Sequence, residues 1–140
     1  MVRVVEINNR PPMSAQLFEL PQKRILLAED DDSMRGFLER SLQNAGYKVD
    51  AFANGKDALE AVRPDAYTLL LTDIVMPLMD GIELARHAAE IDPALKIMFI
   101  TGFAAVTLNN GAAKPDNARV LSKPFHLKDL IREIDTLLKA

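Results

Sequence analysis

The chain has 140 residues, of which 49% are hydrophobic, and a formal net charge of −3, so we expect one domain with a single apolar core. It contains no cysteine, which excludes disulfides and thiolate metal sites, and its charge balance gives no reason to expect nucleic-acid binding. No apolar run approaches the ~20 residues of a transmembrane helix, and no signal peptide is recognisable, so we expect a cytoplasmic protein that is not embedded in a membrane.

Residues 1–22 are the least regular part of the sequence, with neither a helical nor a strand period. We expect them to form a flexible N-terminal extension ahead of a folded domain over 23–140. The alternative is a short peptide that binds a partner through apolar residues such as Leu17 and Phe18. In either case the folded domain begins near Lys23.

The segment Arg24 to Ala28, which is apolar after its first residue, predicts the first buried strand, and four acidic residues, Glu29 to Asp32, follow it directly. A helical pattern comes next, and its predicted inner face consists of Met34, Phe37, Leu38, Leu42 and Ala45. One acid at the start of a helix can act as its cap, but four exceed that need. Clustered carboxylates cost stability unless a cation neutralises them, and their oxygens suit Mg²⁺.

The next two strand candidates are a weak one over 48–51 and a strongly apolar one over 69–71, separated by a short helix. Asp73 stands directly past the second of these, where a Met-Pro step and then an Asp-Gly turn lead the chain into a helix over 82–91. In open α/β sheets, ligands bind in the crevice beyond the carboxyl ends of the strands. Asp73 therefore stands where such sheets carry their sites, although a lone aspartate there would more often be a turn or cap residue.

Two further strand candidates, over 96–100 and 119–121, end beside Thr101 and Lys123 respectively, and an amphipathic helix over 127–138 closes the pattern. The segment between Thr101 and Arg119 is broken by Asn-Asn-Gly and Lys-Pro steps. We therefore expect a fourth helix that is short or partly unwound. Its surface is either a partner-binding surface or a slack loop, and the candidate contact residues are Gly102, Phe103, Val106 and Leu108.

Strands that alternate with helices predict a doubly wound, five-stranded parallel sheet with helices on both faces. Such a sheet brings the carboxyl ends of its strands to one edge, and with them Glu29, Asp30, Asp73, Thr101 and Lys123. The acids could hold a divalent cation, the lysine could neutralise phosphoryl oxygens, and a carboxylate could act as nucleophile in phosphoryl transfer. The threonine hydroxyl could bond to the phosphoryl group and report its arrival. Without the other residues of this set, Lys123 would be interpreted as an exposed loop lysine and Thr101 as an ordinary strand-end residue.

The motifs LLAEDDDSMR, LLLTDIVMPLMDGIEL, FITG and LSKPF resemble those of bacterial response-regulator receiver domains, in the right order and over 23–140. The resemblance implies the flavodoxin-like strand order 2-1-3-4-5. It also implies a role for each matched residue: Asp73 as phosphoacceptor, Glu29 and Asp30 beside it around Mg²⁺, Thr101 as switch hydroxyl, Lys123 as phosphoryl-binding cation, and Asp31 as a turn residue. A receiver accepts and loses its own phosphoryl group and is not otherwise an enzyme.

Two positions depart from the pattern of the family. Receivers usually carry an aromatic residue three positions before the lysine, where this chain has Val120. A valine cannot swing a polar ring between solvent and core, so any output has to pass through the backbone or through other side chains. Val75 lies two positions after the phosphoacceptor, beside the path of an attacking water, and its apolar side chain is expected to alter the lifetime of the phosphoryl group.

We expect no output domain after the last helix, and therefore a monomeric receiver that stands alone. The runs LLLTDIVMPLMDGIELARHAAEIDPALKIMFITGFAAVTLN and VLSKPFHLKDL resemble the CpdR-type single-domain response regulators of alphaproteobacteria. That resemblance implies a role in the cell cycle, in which the unphosphorylated form engages the ClpXP protease at a cell pole and promotes regulated proteolysis. Phosphorylation through a histidine kinase and a histidine phosphotransferase would switch this off.

Three alternative functions differ from this one in chemistry or in partner. A phosphoryl relay or sink would use the same Asp73 chemistry without a protease partner. An interaction module that is independent of phosphorylation is disfavoured because the residues for phosphoryl chemistry are all present. A small-molecule enzyme is disfavoured because the sequence has no glycine-rich cofactor loop.

Overall fold

The structure is a computed structural model, and it describes residues 23–102 and 118–139. The predicted N-terminal extension over 1–22 lies outside the described residues, as does most of the predicted fourth helix. Three of the candidate partner contacts, Phe103, Val106 and Leu108, also lie outside them. Gly102 is described and is exposed.

Five strands and four helices make up the described residues. The strands are β1 Arg24–Ala28, β2 Lys48–Phe52, β3 Leu69–Thr72, β4 Lys96–Thr101 and β5 Arg119–Ser122. The helices are α1 Asp32–Asn44, α2 Gly55–Ala61, α3 Gly81–Ile91 and α4 Leu127–Lys139. Among these helices, none has the length and apolar character needed to cross a membrane.

The five strands form one parallel sheet in the order β2-β1-β3-β4-β5. This confirms the doubly wound, flavodoxin-like fold that the sequence predicts. In the register of the sheet, Ala28 is paired with Thr72 and Thr101 with Ser122. The residues that follow these strand ends are thereby collected at one edge, which we call the carboxyl edge.

Helices cover both faces of the sheet because both faces are apolar. One face packs against α2 and α3, and its buried residues include Leu26, Leu70, Phe99, Ala58 and Leu84. The other packs against α1 and α4, and its buried residues include Ile25, Leu71, Ile100, Leu38 and Ile134. A strand between two such layers reads as a continuous apolar run, as β3 does. Each fully buried leucine contributes about 1.5–3 kcal/mol through burial.

The sequence prediction for the inner face of α1 was wrong at two residues, Phe37 and Ala45. Leu38 and Leu42 are fully buried, whereas Phe37, expected on the same inner face, is 42% exposed. The buried stripe of α1 follows the i and i+4 spacing of the two leucines, and successive residues are turned by about 100° around a helix. Phe37 therefore stands at the border of the stripe. Ala45, also expected on the inner face, is exposed at the C-cap of the helix.

The first and last parts of the described domain lie beside each other. The ammonium group of Lys23 donates a hydrogen bond to the backbone carbonyl of Leu138, and the hydroxyl of Tyr47 donates one to Asp135. Lys23 precedes β1, and α4 runs back along the sheet from the carboxyl edge. This contact therefore lies at the amino edge, opposite the strand ends that carry the candidate site.

Candidate functional site

The acidic turn after β1 contains one buried and several exposed carboxylates. Glu29 is 1% exposed, whereas Asp30, Asp31 and Asp32 are exposed. Asp31 caps α1, because its Oδ1 accepts a hydrogen bond from the backbone N–H of Met34 at 2.9 Å. Capping thus accounts for Asp31, and Asp32 forms an ion pair of 2.6 Å with Arg35, which leaves Glu29 and Asp30 for another role.

Asp73 follows β3 and is held by the backbone around it. Its N–H donates to the carbonyl of Ala28 at 3.1 Å, and its Oδ1 accepts from the N–H of Ile74 at 2.7 Å. The residue as a whole is 8% exposed. Its carboxylate therefore has a fixed orientation and a narrow opening to solvent.

Lys123 follows β5 and reaches across the carboxyl edge. Its Nζ lies 2.9 Å from Oδ2 of Asp73 and 3.3 Å from Oε1 of Glu29. Its backbone N–H donates to the carbonyl of Thr101 at 3.0 Å, and a cis peptide bond joins it to Pro124. Three strand ends that are far apart in the sequence are joined through this one side chain.

Burial and the neighbouring charges shift the pKa values of two groups in the site. Burial raises the pKa of Glu29, and the N–H of Asp31 and the charge of Lys123 offset this only in part. Burial lowers the pKa of Lys123, but its contacts with Asp73 and Glu29 together outweigh burial, so that its net pKa is raised. The lysine is therefore protonated at neutral pH and acts as the fixed cation of the site.

Glu29, Asp30 and Asp73 form a group that could hold a metal ion, since one carboxylate oxygen of each lies within 4.8 Å of those of the other two. An all-oxygen donor set suits a hard divalent cation such as Mg²⁺. The burial of Glu29 makes a nearby positive charge favourable, and Lys123 supplies only one such charge.

The remaining predicted residues lie around this centre. Thr101 is fully buried at the end of β4, beside the backbone of Lys123. Val120 lies in β5 and is half-buried against the core. Val75 lies on the loop after β3 and is 57% exposed. The structure thus brings the predicted acids, Val75, Thr101 and Lys123 to the carboxyl edge, whereas Val120 lies within β5, paired with Phe99.

Sequence reasoning missed how tightly the loop between β3 and α3 is held. A Cβ on Gly81 would lie 1.9 Å from the carbonyl oxygen of Asp73, and a Cβ on Gly55 would lie 2.5 Å from that of Met79. Only glycine permits such close approach of a backbone. The Asp-Gly step before α3 suggested a turn, but the sequence carried no signal for the approach to Asp73 or for the role of Gly55.

A nucleophilic carboxylate, a neighbouring ammonium group and a pair of acids able to bind a cation can together accept a phosphoryl group. Residues 25–135 match the family model of the response regulator receiver domain, and the chain belongs to that family. It is 64% identical over 118 residues to the response regulator receiver protein CpdR of Brucella abortus (strain 2308). That match covers 84% of this chain and 98% of the relative.

The chain is also similar to a sensor kinase and to two receivers of known structure. The chain is 33% identical over 117 residues to the sensor kinase CckA of Brucella abortus (strain 2308), a match that covers 82% of this chain and 12% of the kinase. The crystal structure of a response regulator receiver protein from Sinorhizobium medicae WSM419 superposes with a TM-score of 0.75 at 35% identity, covering 85% of this chain and 96% of the other. The response regulator TrrA of Thermotoga maritima, in complex with Mg²⁺-BeF, superposes with a TM-score of 0.70 at 28% identity, covering 84% and 100%.

Proposed function

We propose that this chain is a stand-alone response regulator of a two-component phosphorelay, phosphorylated on Asp73. The observation that carries the proposal is the ion pair between Nζ of Lys123 and Oδ2 of Asp73, at 2.9 Å and next to two further carboxylates. A carboxylate in a purely structural ion pair needs no additional acids beside it. A phosphoryl site does, because its cation-binding acids and its nucleophile act on the same group.

In the phosphoryl transfer that we propose, one bond forms and one bond breaks. An Oδ of Asp73 attacks the phosphorus of a phosphohistidine, a P–O bond forms, and the P–N bond breaks with its electron pair returning to the imidazole nitrogen. The ammonium group of Lys123, now beside Oδ2, pairs with a phosphoryl oxygen. Hydrolysis of the aspartyl phosphate by water later releases inorganic phosphate and restores the carboxylate. The protein accepts and loses its own phosphoryl group and turns over no other substrate.

Glu29, Asp30 and Asp73 are the residues that would hold Mg²⁺. The support is their mutual proximity, the burial of Glu29, and the Mg²⁺-BeF complex of the related TrrA. Bound there, the ion would neutralise charge on the phosphoryl oxygens. Thr101 is proposed as the switch hydroxyl. With Val120 in place of an aromatic ring, the signal would pass through the backbone that links Thr101 to Lys123.

Phosphorylation of Asp73 is tested with acetyl phosphate, magnesium and a gel that retards phosphoproteins. The wild type is expected to give a shifted, acid-stable and base-labile band, and Asp73→Asn none. Asp80→Asn is the matched control, because Asp80 caps α3 through the N–H of Glu83 at 2.8 Å and asparagine caps equally well. A phosphorylated Asp73→Asn protein, or loss of the band in Asp80→Asn as well, would contradict the assignment.

The partner of the unphosphorylated form is proposed to be the ClpXP protease, which the protein would help to place at a cell pole in control of the cell cycle. The support is 64% identity to CpdR over 98% of that protein's length. The phosphoryl donor is proposed to be a histidine kinase acting through a histidine phosphotransferase. The likeness to CckA, a hybrid histidine kinase with a receiver domain of its own, supports this, because a phosphotransferase that exchanges with one receiver can exchange with a similar one. We propose that the protein is a cytoplasmic monomer.

The protease role is tested by capture of purified ClpX on the immobilised protein, with and without magnesium and acetyl phosphate. We expect the wild type to bind ClpX, to release it on phosphorylation, and Asp73→Ala to bind in both conditions. Absence of binding in every state, with Asp73 still phosphorylated, would contradict the protease role. The relay or sink function would then be favoured, and rapid phosphoryl exchange with a histidine phosphotransferase would support it.

A further inference from the structure

Leu78, five residues after Asp73, has an unusual backbone conformation. The N–H of Met79 donates to the carbonyl of Pro77 at 2.8 Å, and the φ of Leu78 between them is 71°. A three-residue turn closed in this way around a positive φ is rare and strained. Glycine and asparagine tolerate this region of backbone space, but a leucine rarely adopts it.

The side chain of Leu78 is also unfavourably placed for an isolated domain. It is 76% exposed, more than any other large hydrophobic side chain in the described part of the protein. Val75, on the same loop, is 57% exposed. The most exposed apolar side chains of the described residues therefore share one short loop, and that loop begins at the candidate phosphoacceptor.

The exposure of Leu78 is built into a fixed loop. Ile74 and Met76 point inward and are 4% and 8% exposed. The N–H of Gly81 donates to the carbonyl of Ile74 at 2.7 Å, and Gly55 packs against the carbonyl of Met79. With the loop anchored on both sides, the outward position of Leu78 is part of the folded structure.

We propose that Leu78 is a contact residue for the protein that exchanges a phosphoryl group with Asp73, and that it helps to decide which phosphohistidine proteins the site accepts. This inference rests on the proposed function. Strained residues concentrate at functional sites, and an exposed leucine gains most when a partner covers it. The loop that carries Leu78 leaves the sheet at Asp73 and closes on it again at Gly81, whose Cα lies against the carbonyl of Asp73, so both ends of the loop are anchored at the candidate phosphoacceptor.

The size of the phosphoryl donor decides whether the donor contacts Leu78 when it reaches Asp73. The side chain of Asp73 is only 11% exposed, so a phosphohistidine must enter the opening to reach it, and the protein surface around that histidine then covers the loop. A small donor such as acetyl phosphate reaches the same carboxylate without touching Leu78. The donor protein should therefore present apolar side chains next to its histidine.

The test compares two phosphorylation rates of the full chain. One uses acetyl phosphate, and the other uses CckA of Brucella abortus with ATP and a histidine phosphotransferase of that organism. In Leu78→Asn the ratio of the protein-donor rate to the small-donor rate is expected to fall about tenfold. Leu78→Met keeps the apolar contact and should restore the ratio.

The matched control is Ile91→Asn, because Ile91 is another exposed apolar residue and lies at the far end of α3, where it is 39% exposed. This variant should keep the wild-type ratio of the two rates. An unchanged ratio in Leu78→Asn would overturn the inference. An equal fall of both phosphorylation rates would also overturn the inference, because it would indicate altered loop geometry. A loss of ClpX binding with an unchanged ratio would overturn it too, because it would assign Leu78 to the effector surface. Failure of the wild type to be phosphorylated by acetyl phosphate would instead overturn the proposed function.

Discussion

Lys123 and Asp73 are joined by an ion pair of 2.9 Å that connects the ends of β5 and β3. The same ammonium group also contacts Glu29, a carboxylate with 1% exposure. The candidate site is thus a charge cluster in which one lysine compensates two buried or nearly buried acids.

Removal of that lysine should destabilise the metal-free protein in a manner that depends on pH. In Lys123→Met, Glu29 and Asp73 lose the cation that favours their charged forms, so the already raised pKa of Glu29 rises further above its value in the unfolded chain. A pKa raised on folding makes ionisation costly in the folded state, and this cost is absent when the acid is protonated and present at higher pH. We expect the free energy of unfolding to fall by about 2 kcal/mol near neutral pH and by less at about pH 5.

Urea unfolding in the presence of a chelator, at about pH 5 and about pH 8, measures the difference. Lys128→Met is the control, because it removes an exposed lysine of α4 without touching the site. An equal loss of stability at both pH values would contradict the charge argument. Added magnesium should return part of the lost stability to Lys123→Met.

A methyl group at Gly81 should disturb Asp73 directly. In Gly81→Ala the new Cβ would lie 1.9 Å from the carbonyl oxygen of Asp73, so the backbone has to move. We expect a loss of about 2 kcal/mol or more in unfolding free energy and a slower phosphorylation of Asp73. Gly36→Ala is the contrasting variant: its Cβ meets only the mobile end of the Arg40 side chain at 3.2 Å. It should stabilise α1 by about 0.5–1 kcal/mol. Similar effects of the two substitutions would argue against the close approach.

The hydroxyl of Thr101 should be needed for signalling and dispensable for phosphorylation. Thr101→Val conserves volume at a fully buried position and is expected to cost about 1 kcal/mol of stability. Its Asp73 should still take up phosphate from acetyl phosphate, but phosphorylation should no longer release ClpX. Capture of ClpX before and after phosphorylation checks this, with the exposed Thr136→Val as control. Normal release by Thr101→Val would remove Thr101 from the switch.

Tyr67 should ionise only at strongly alkaline pH. Burial raises its pKa, and the hydrogen bond that its hydroxyl donates to Asp50 Oδ2 at 2.6 Å raises it further. The folded protein therefore retains this proton above about pH 10, where an unfolded tyrosine loses it, and the free energy of unfolding declines as pH rises beyond that value.

Ultraviolet titration of Tyr47→Phe isolates this group, because the chain has two tyrosines and no tryptophan. The midpoint should lie above about 10. In the double variant with Asp50→Asn it should fall but remain raised, since burial is the larger cause. A midpoint that is insensitive to Asp50 would show that the hydrogen bond contributes nothing.

The sequence predicted the fold, and it predicted that the candidate residues lie close together, because both depend on local signals. Each strand is a short apolar run, and Asp73, Thr101 and Lys123 stand at or just past the ends of such runs. A parallel sheet then brings the strand ends together regardless of the distance between them in the sequence, which is 94 residues for Lys123 and Glu29.

Features that depend on tertiary contacts could not be predicted. Phe37 has the helical spacing of an inner residue, but its exposure is decided by where the sheet lies relative to Leu38. The positive φ of Leu78 follows from the anchoring of its loop and contradicts the preference of leucine. The bond between Tyr67 and Asp50 joins two positions that show no common pattern.

The hydrogen bond from Lys23 to the carbonyl of Leu138 brings the two ends of the described domain into contact. A fluorescent reporter or an affinity tag attached near either residue would lie at the amino edge of the sheet, on the opposite side from Asp73. The protein could then be tracked in a living cell, or held on a biosensor surface, while its phosphoacceptor stays open to donors. Because Lys23 and Leu138 are in contact, a short linker between these two positions should permit circular permutation, with the new termini placed in another loop.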